Sequence, residues 1–217
     1  MAWLRVLLIM LLIRPIARFL TGADVIGRER LPIRGPAIIA PNHNSHMDTL
    51  LLLALFSPGA LPRVRPAAAA DYFLADQRLA WFARNIIGIV PVERARAGEG
   101  VDVLAPAKAA LARGDILVIF PEGTRGADGH TAMAPMKTGV ARLAEACPQA
   151  PVIPVWIQGA GRVLPKGAAL PVPITCCVLV GEPIAWTGDR DALMADRKAA
   201  LDALQAQAPP LRWKETD

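Results

Sequence analysis

Ile116-Leu117-Val118-Ile119-Phe120 is a run of five apolar residues with no polar alternation. A strand of that composition is covered on both faces, which is the habit of strands in parallel sheets. Residues 101–113 precede it with apolar positions at helical spacing, Pro106 fits a first turn, and Gly114 is placed to end the helix. Before that helix comes another short strand with a proline, Ile89-Val90-Pro91-Val92. Strand, helix, strand in this order implies a parallel crossover. The chain is therefore expected to be α/β, with a mostly parallel central sheet flanked by helices.

The remaining elements agree with that frame. Ala37-Ile38-Ile39-Ala40 and Val152-Ile153-Pro154-Val155-Trp156-Ile157 read as strands, as do residues 63–70 and 174–180. Residues 50–55, 76–87, 139–146 and 191–206 read as helices. Residues 22–35 read as a linker, and residues 161–173 as a Pro/Gly-rich loop. No internal repeat divides the 217 residues, a length suited to one domain.

Hydropathy and charge narrow the partners. The chain is 53% hydrophobic with mean hydropathy +0.35, yet no apolar run reaches the ~18–20 residues of a bilayer span. The first twenty residues hold an apolar stretch, 6–13, flanked by Trp3, Arg5, Arg14 and Arg18. This pattern fits a helix lying in one leaflet, with Trp3 at headgroup level and the arginines snorkelling to phosphates. A secretory signal is the rival, but Arg14 and Arg18 sit between its apolar core and any cleavage site at Thr21-Gly22-Ala23. A buried core helix is the other rival. We therefore expect residues 1–21 to be a membrane-associating helix and residues 22–217 the main domain. Net charge +5 and pI near 9.6 favour an anionic membrane surface or an acidic carrier protein. With aromatic content of 5% and no basic run interleaved with aromatics, a nucleic-acid stacking surface is not expected. Three cysteines, Cys147, Cys176 and Cys177, are too few for a disulfide framework and suit a reducing compartment. The expected location is the cytoplasmic face of the inner or plasma membrane.

Between two apolar stretches lies Asn42-His43-Asn44-Ser45-His46-Met47-Asp48. It reads as a strand-to-helix turn, with Ser45 or Asp48 as helix cap, at the sheet end where open α/β folds build their sites. His43 and Asp48 are five residues apart and meet only if the chain turns between them. An aspartate that accepts from one imidazole nitrogen fixes the tautomer and leaves the other nitrogen to act as base. No nucleophilic serine or cysteine is paired with them, so the pair needs a substrate hydroxyl.

Further along, Arg94 ends the Gly88–Arg94 stretch, and a strand-end guanidinium can bind two oxygens of a phosphate or carboxylate. Phe120-Pro121-Glu122-Gly123-Thr124-Arg125 sets a carboxylate and a guanidinium on a glycine-kinked loop, and Lys137-Thr138-Gly139 follows. With the proline-bearing strand of residues 152–159 as the last, the stretches at 42–48, 88–94 and 120–125 resemble, in order, the four conserved blocks of the glycerolipid acyltransferase family, which includes lysophosphatidate acyltransferase, and Lys137-Thr138-Gly139 resembles the Lys-x-Gly that follows the third block. The His-x4-Asp motif is the first, the Phe-Pro-Glu-Gly-Thr-Arg block the third and most specific. Together they cover residues 37–159, most of the chain.

The resemblance implies an O-acyltransferase of phospholipid synthesis. It would move a fatty acyl group from acyl-CoA or acyl-carrier protein to a hydroxyl of a lysophosphatidate-like glycerolipid. His43 would be general base and Asp48 its orienting partner. Arg94, Glu122, Gly123, Thr124, Arg125 and Lys137 would hold the acceptor. Neither metal nor cofactor is implied. One departure bears on the acceptor. Members acting on lysophosphatidate often carry a lysine after the second strand, where this chain has Ala69-Ala70-Asp71-Tyr72-Phe73. Another lysophospholipid or lipid alcohol is thus an alternative acceptor. Two rivals of other classes are a hydrolase with His43, His46 and Asp48 on a metal, for which only His130 remains as a further histidine, and an inactive lipid-binding module.

Overall fold

Why a buried run such as Ile116–Phe120 needs no polar face is visible in the sheet. In the computed structural model, residues 2–45, 47–69, 77–92, 102–121, 138–164 and 170–210 are described. Among them, seven strands form one sheet: β1 (Asp24–Ile26), β2 (Ala37–Pro41), β3 (Val64–Ala69), β4 (Val90–Val92), β5 (Ile116–Val118), β6 (Val152–Gln158) and β7 (Cys177–Val180). Their order is β1-β7-β6-β2-β5-β3-β4. Every neighbouring pair is parallel except β6 and β7.

Helices cover both faces, as a parallel sheet requires. On one face lie α1 (Ala2–Leu8) and α2 (Arg14–Thr21), joined by a π-helical stretch Ile9–Ile13, together with α3 (Met47–Leu55). Ile9, Ile13, Leu51, Leu52 and Leu53 pack there with Ile39, Val118 and Val155 of the strands. The chain of α4 (Gln77–Phe82) continues through Ala83–Ile87 and adds Ile86 and Ile87 to this layer. On the other face, α5 (Ala105–Ala112), α6 (Gly139–Ala146) and α8 (Arg190–Gln207) bring Leu111, Leu143 and Leu193 against Ile38, Leu117 and Val152. A short α7 (Ala160–Val163) follows β6.

Three features depart from the sequence-based expectation. The segment expected to be a linker contains β1, which pairs with β7 in the register Asp24↔Cys177. The segment expected to be a loop begins with α7. Arg5, expected to snorkel, is buried within the protein instead. Its guanidinium donates to the carbonyls of Ile86 (3.0 Å), Val64 (2.7 Å), Ile87 (2.9 Å) and Leu61. The Ile86 and Ile87 carbonyls end a helical segment, where a cation satisfies acceptors that the helix cannot, while Leu61 opens a short helical turn and Val64 begins β3. Burial, then the neighbouring charge of Arg65, lowers the Arg5 pKa to about 10, with Asp115 acting the other way.

The N-terminal helices are also two-faced. Arg5, Ile9, Ile13, Ala17 and Thr21 are buried at a spacing of four. A regular α-helix would rotate such a row out of line, and the wider π turn takes up the drift. Gly22 closes α2 in the left-handed conformation (φ 44°), its N–H bonded to the Arg18 carbonyl at 2.8 Å. No helix among the described residues is long and apolar enough to cross a membrane.

Candidate active site

β2 feeds α3 on one face of the sheet, while the adjacent β5 leads to α6 on the other. Where neighbouring strands send their connections to opposite faces, a crevice opens at their carboxyl ends. Asn42–Ser45 follows β2 into that crevice, and Phe120 follows β5. The Phe120 ring lies against the His43 imidazole, with centroids 4.1 Å apart and planes tilted by 32°.

The turn is built around one carboxylate. Asp48 Oδ2 accepts from the backbone N–H of Asn44 (2.7 Å) and Ser45 (2.8 Å), and lies 3.0 Å from His43 Nδ1. Ser45 Oγ in turn accepts from the N–H of Met47 (3.2 Å). Ser45 and Asp48 therefore form a reciprocal cap at the start of α3, with aspartate where glutamate is usual. The same carboxylate that caps the helix grips the imidazole. Both candidate caps named from the sequence thus take part. Five residues of separation close because the chain turns through Asn44 and Ser45 before helix geometry begins.

This arrangement sets the tautomer. An ionised carboxylate only accepts, so Nδ1 carries the hydrogen and Nε2 the lone pair. Asp48 is 0% exposed at its side chain and His43 17%, so the imidazole faces the crevice while its partner is sealed beneath. Among the described residues, the second carboxylate oxygen, Oδ1, is buried without a hydrogen-bond partner. Cys176 feels this charge: burial first, and then Asp48, push its thiol up to about 12. A thiol held neutral in this way is a packing group, not a nucleophile.

Asn42 is the residue whose role the sequence did not disclose. Its side chain donates to the Ile157 carbonyl (2.9 Å) and accepts from the Ile157 N–H (2.6 Å). Asn44 Nδ2 reaches the same carbonyl at 3.2 Å. The His43 turn is thereby fastened to β6, a strand over a hundred residues later. Ser45 Oγ also lies 3.3 Å from the Leu164 carbonyl, just past α7. An amide directly before the histidine was the available signal, but its partner is a backbone no local pattern reveals.

Residues 22–158 match the family described as Acyltransferase, well over half of the chain and a span that includes the whole His43–Asp48 turn. The chain belongs to this acyltransferase family. A chloroplastic 1-acyl-sn-glycerol-3-phosphate acyltransferase, BAT2 of Brassica napus, is 30% identical over 67% of this chain and 40% of its own length. The 1-acyl-sn-glycerol-3-phosphate acyltransferase alpha of Mus musculus is 29% identical over 49% of this chain and 36% of its own. The chain thus spans about two fifths of the curated relatives it matches. The crystal structure of the 1-acyl-sn-glycerophosphate acyltransferase PlsC from Thermotoga maritima shares the fold. It aligns with a TM-score of 0.69 and 23% identity, over 94% of this chain and 80% of that one.

In this family member, the structure brings His43 and Asp48 into contact, as the sequence predicted. The other expected site residues, Arg94, Glu122, Gly123, Thr124, Arg125 and Lys137, lie outside the described residues, as do His46, His130 and Asp71. Of the Phe-Pro-Glu-Gly-Thr-Arg block, Phe120 and Pro121 are described, and Phe120 is the residue stacked on His43.

Proposed function

We propose that the protein transfers a fatty acyl group from a thioester, acyl-CoA or acyl-carrier protein, to the hydroxyl of a lysophosphatidate-like glycerolipid in phospholipid synthesis. The observation that carries this reading is the His43 Nδ1–Asp48 Oδ2 contact of 3.0 Å at the switch point of the sheet. The His43 lone pair takes the proton of the acceptor hydroxyl as its oxygen attacks the thioester carbonyl. The C–S bond then breaks, and the imidazolium returns the proton to the leaving thiolate. Asp48 stabilises the imidazolium between these events, and its burial limits screening by water. No acyl-enzyme is needed, because no serine or cysteine is required as nucleophile. By resemblance to the family, Arg94 and Arg125 would hold the acceptor phosphate, supported by Glu122, Gly123, Thr124 and Lys137. Asp71 stands where a lysine is frequent, so acceptors with other headgroups belong in the test.

The same reading puts the protein on an anionic membrane surface. Trp3, Leu7, Leu11, Ile16 and Phe19 are exposed on the outer side of the N-terminal helices. Leu170 and Val172 are exposed on the segment that reaches α2 through the Ile174 N–H bond to Leu20. Arg14, Arg18 and Arg28 gather beside them. Burial and these two neighbouring charges lower the Arg14 pKa below its ordinary value. An apolar face with a cationic rim suits insertion into anionic headgroups.

The test is a screen of lysolipid acceptors against labelled acyl-CoA and acyl-carrier protein, read by mass spectrometry. The expected product is a diacyl phospholipid made by the wild type and absent with His43→Ala. Turnover by His43→Ala at the wild-type rate would overturn the mechanism. Flotation with anionic liposomes tests the surface. Leu11→Glu with Phe19→Glu should release the protein while leaving the buried helix face intact, whereas unchanged flotation would refute the membrane role.

A further inference from the structure

A second cluster of charge lies away from His43. A cleft of about 300 Å³ opens between the β3–β4 edge and α5, lined by Arg65, Gly88–Pro91, Pro106, Ala109 and Arg113. Pro106, Ala109 and Arg113 are three and four residues apart and so form one wall of α5 and its end. Arg65 is in register with Leu117, and Leu117 with Ile38, five residues before His43. At the rise of a strand, about 16 Å separate that level from His43. The Arg65 end of the cleft therefore lies away from the proposed reaction, while Pro91, in register with Ala68, lies nearer its level.

Among the described residues its charge is unbalanced. Arg113 Nη2 donates to Asp115 Oδ2 at 3.2 Å, while Arg65 Nε stands 3.7 Å from the same oxygen. One carboxylate is thus shared by two guanidiniums, and each guanidinium carries five N–H donors. Arg63 adds a third cation, its Nη1 lying 3.4 Å from the Arg113 carbonyl. Arg5 is the fourth, buried behind Gly88, where an added Cβ would come within 2.7 Å of its guanidinium. Its depressed pKa registers the Arg65 charge directly. Among the described residues, two arginines that line this cleft thus share one aspartate, with Arg63 and the buried Arg5 as further cations nearby. A cationic cleft with low-dielectric walls concentrates anions, and the guanidinium fork matches the tetrahedral oxygens of phosphate.

We infer that the Arg65–Arg113 cleft is a second anion site, which binds a phosphate group, held between the two guanidiniums in competition with Asp115. The phosphate comes either from a lipid headgroup or from a soluble phosphate ester. This inference stands apart from the acyl-transfer reading, because none of its residues is in the His43 turn.

The experiment is amide NMR of the full chain in dodecyl maltoside, titrated separately with inorganic phosphate and with soluble dihexanoylphosphatidate. Saturable shifts of the Gly88, Ile89 and Ala109 amides are expected. Arg65→Gln with Arg113→Gln should weaken them about tenfold or more, as loss of two charge-assisted contacts requires. Asp115→Asn should do the reverse and tighten binding, because it removes the competing carboxylate, and a misfolded variant would not produce that gain. Tighter binding of dihexanoylphosphatidate than of phosphate identifies a headgroup site, and equal binding identifies a site for phosphate itself. Shifts confined to Asn42–Asp48, or shifts at Gly88 that are the same in wild type, the double variant and Asp115→Asn, would overturn the assignment.

Discussion

Replacing Asp48 by asparagine separates two ways in which an acid can serve a histidine. In other His–Asp systems an amide inverts the imidazole tautomer and costs about 10⁴ in rate. Here the structure predicts otherwise. The backbone N–H groups of Asn44 and Ser45 point at Oδ2 from 2.7 and 2.8 Å. Two donors at that position repel an amide NH2 and hold the amide oxygen there. Nδ1 of His43 then still donates to oxygen, and Nε2 keeps its lone pair. What is lost is the negative charge that stabilises the imidazolium. A hydrogen bond to a charged group contributes about 1.5–3 kcal/mol and one to a neutral group about 1 kcal/mol, so the difference is about 0.5–2 kcal/mol, or roughly 2–30-fold in kcat. The amide nitrogen would occupy the site of Oδ1, which is buried without a partner among the described residues, so some stability is lost as well. The assay is thiol release from acyl-CoA at saturating lysolipid, with urea unfolding of the same preparation. A folded Asp48→Asn protein slowed by 10⁴ or more would show that the tautomer had inverted. A rate within a factor of about two of wild type would show that the charge does not act on the reaction, since even the weakest charged hydrogen bond should contribute more.

Arg5→Leu should destabilise the protein by about 3–5 kcal/mol in urea unfolding, since the Leu61, Val64, Ile86 and Ile87 carbonyls lose their buried cation. A loss under about 1 kcal/mol would mean that water or another donor replaces it. Asn42→Ala should cost about 2 kcal/mol for its two bonds to Ile157 and should also lower kcat, because the His43 turn loses its tie to β6. Cys176, buried and with its thiol pushed up to about 12, should resist a disulfide reagent at pH 8 and react once the protein is unfolded. Rapid labelling of the native protein would contradict that burial.

Much of this architecture was written locally. The strands that lie in the middle of the sheet, 37–41, 116–118 and 152–158, are apolar runs because both of their faces are covered. The crossover around α5 followed from element order, since a parallel neighbour must be reached over the sheet. The His43–Asp48 pair was legible because capping a helix and gripping an imidazole both need a short acid at a fixed offset from the turn. Other features had no local signal. β1 is three residues long with no apolar alternation, and it is a strand only because β7 offers backbone partners. Arg5 resembled an interfacial arginine in composition, yet four carbonyls from chain segments more than fifty residues away hold it inside. The tie between Asn42 and Ile157, and the insertion of β5 between β2 and β3, likewise depend on distant segments meeting. Periodicity, capping and burial act over a few residues and can be read along the chain. Strand order, long-range carbonyl contacts and the shared Asp115 arise only when separate segments compete for the same partners in the packed domain.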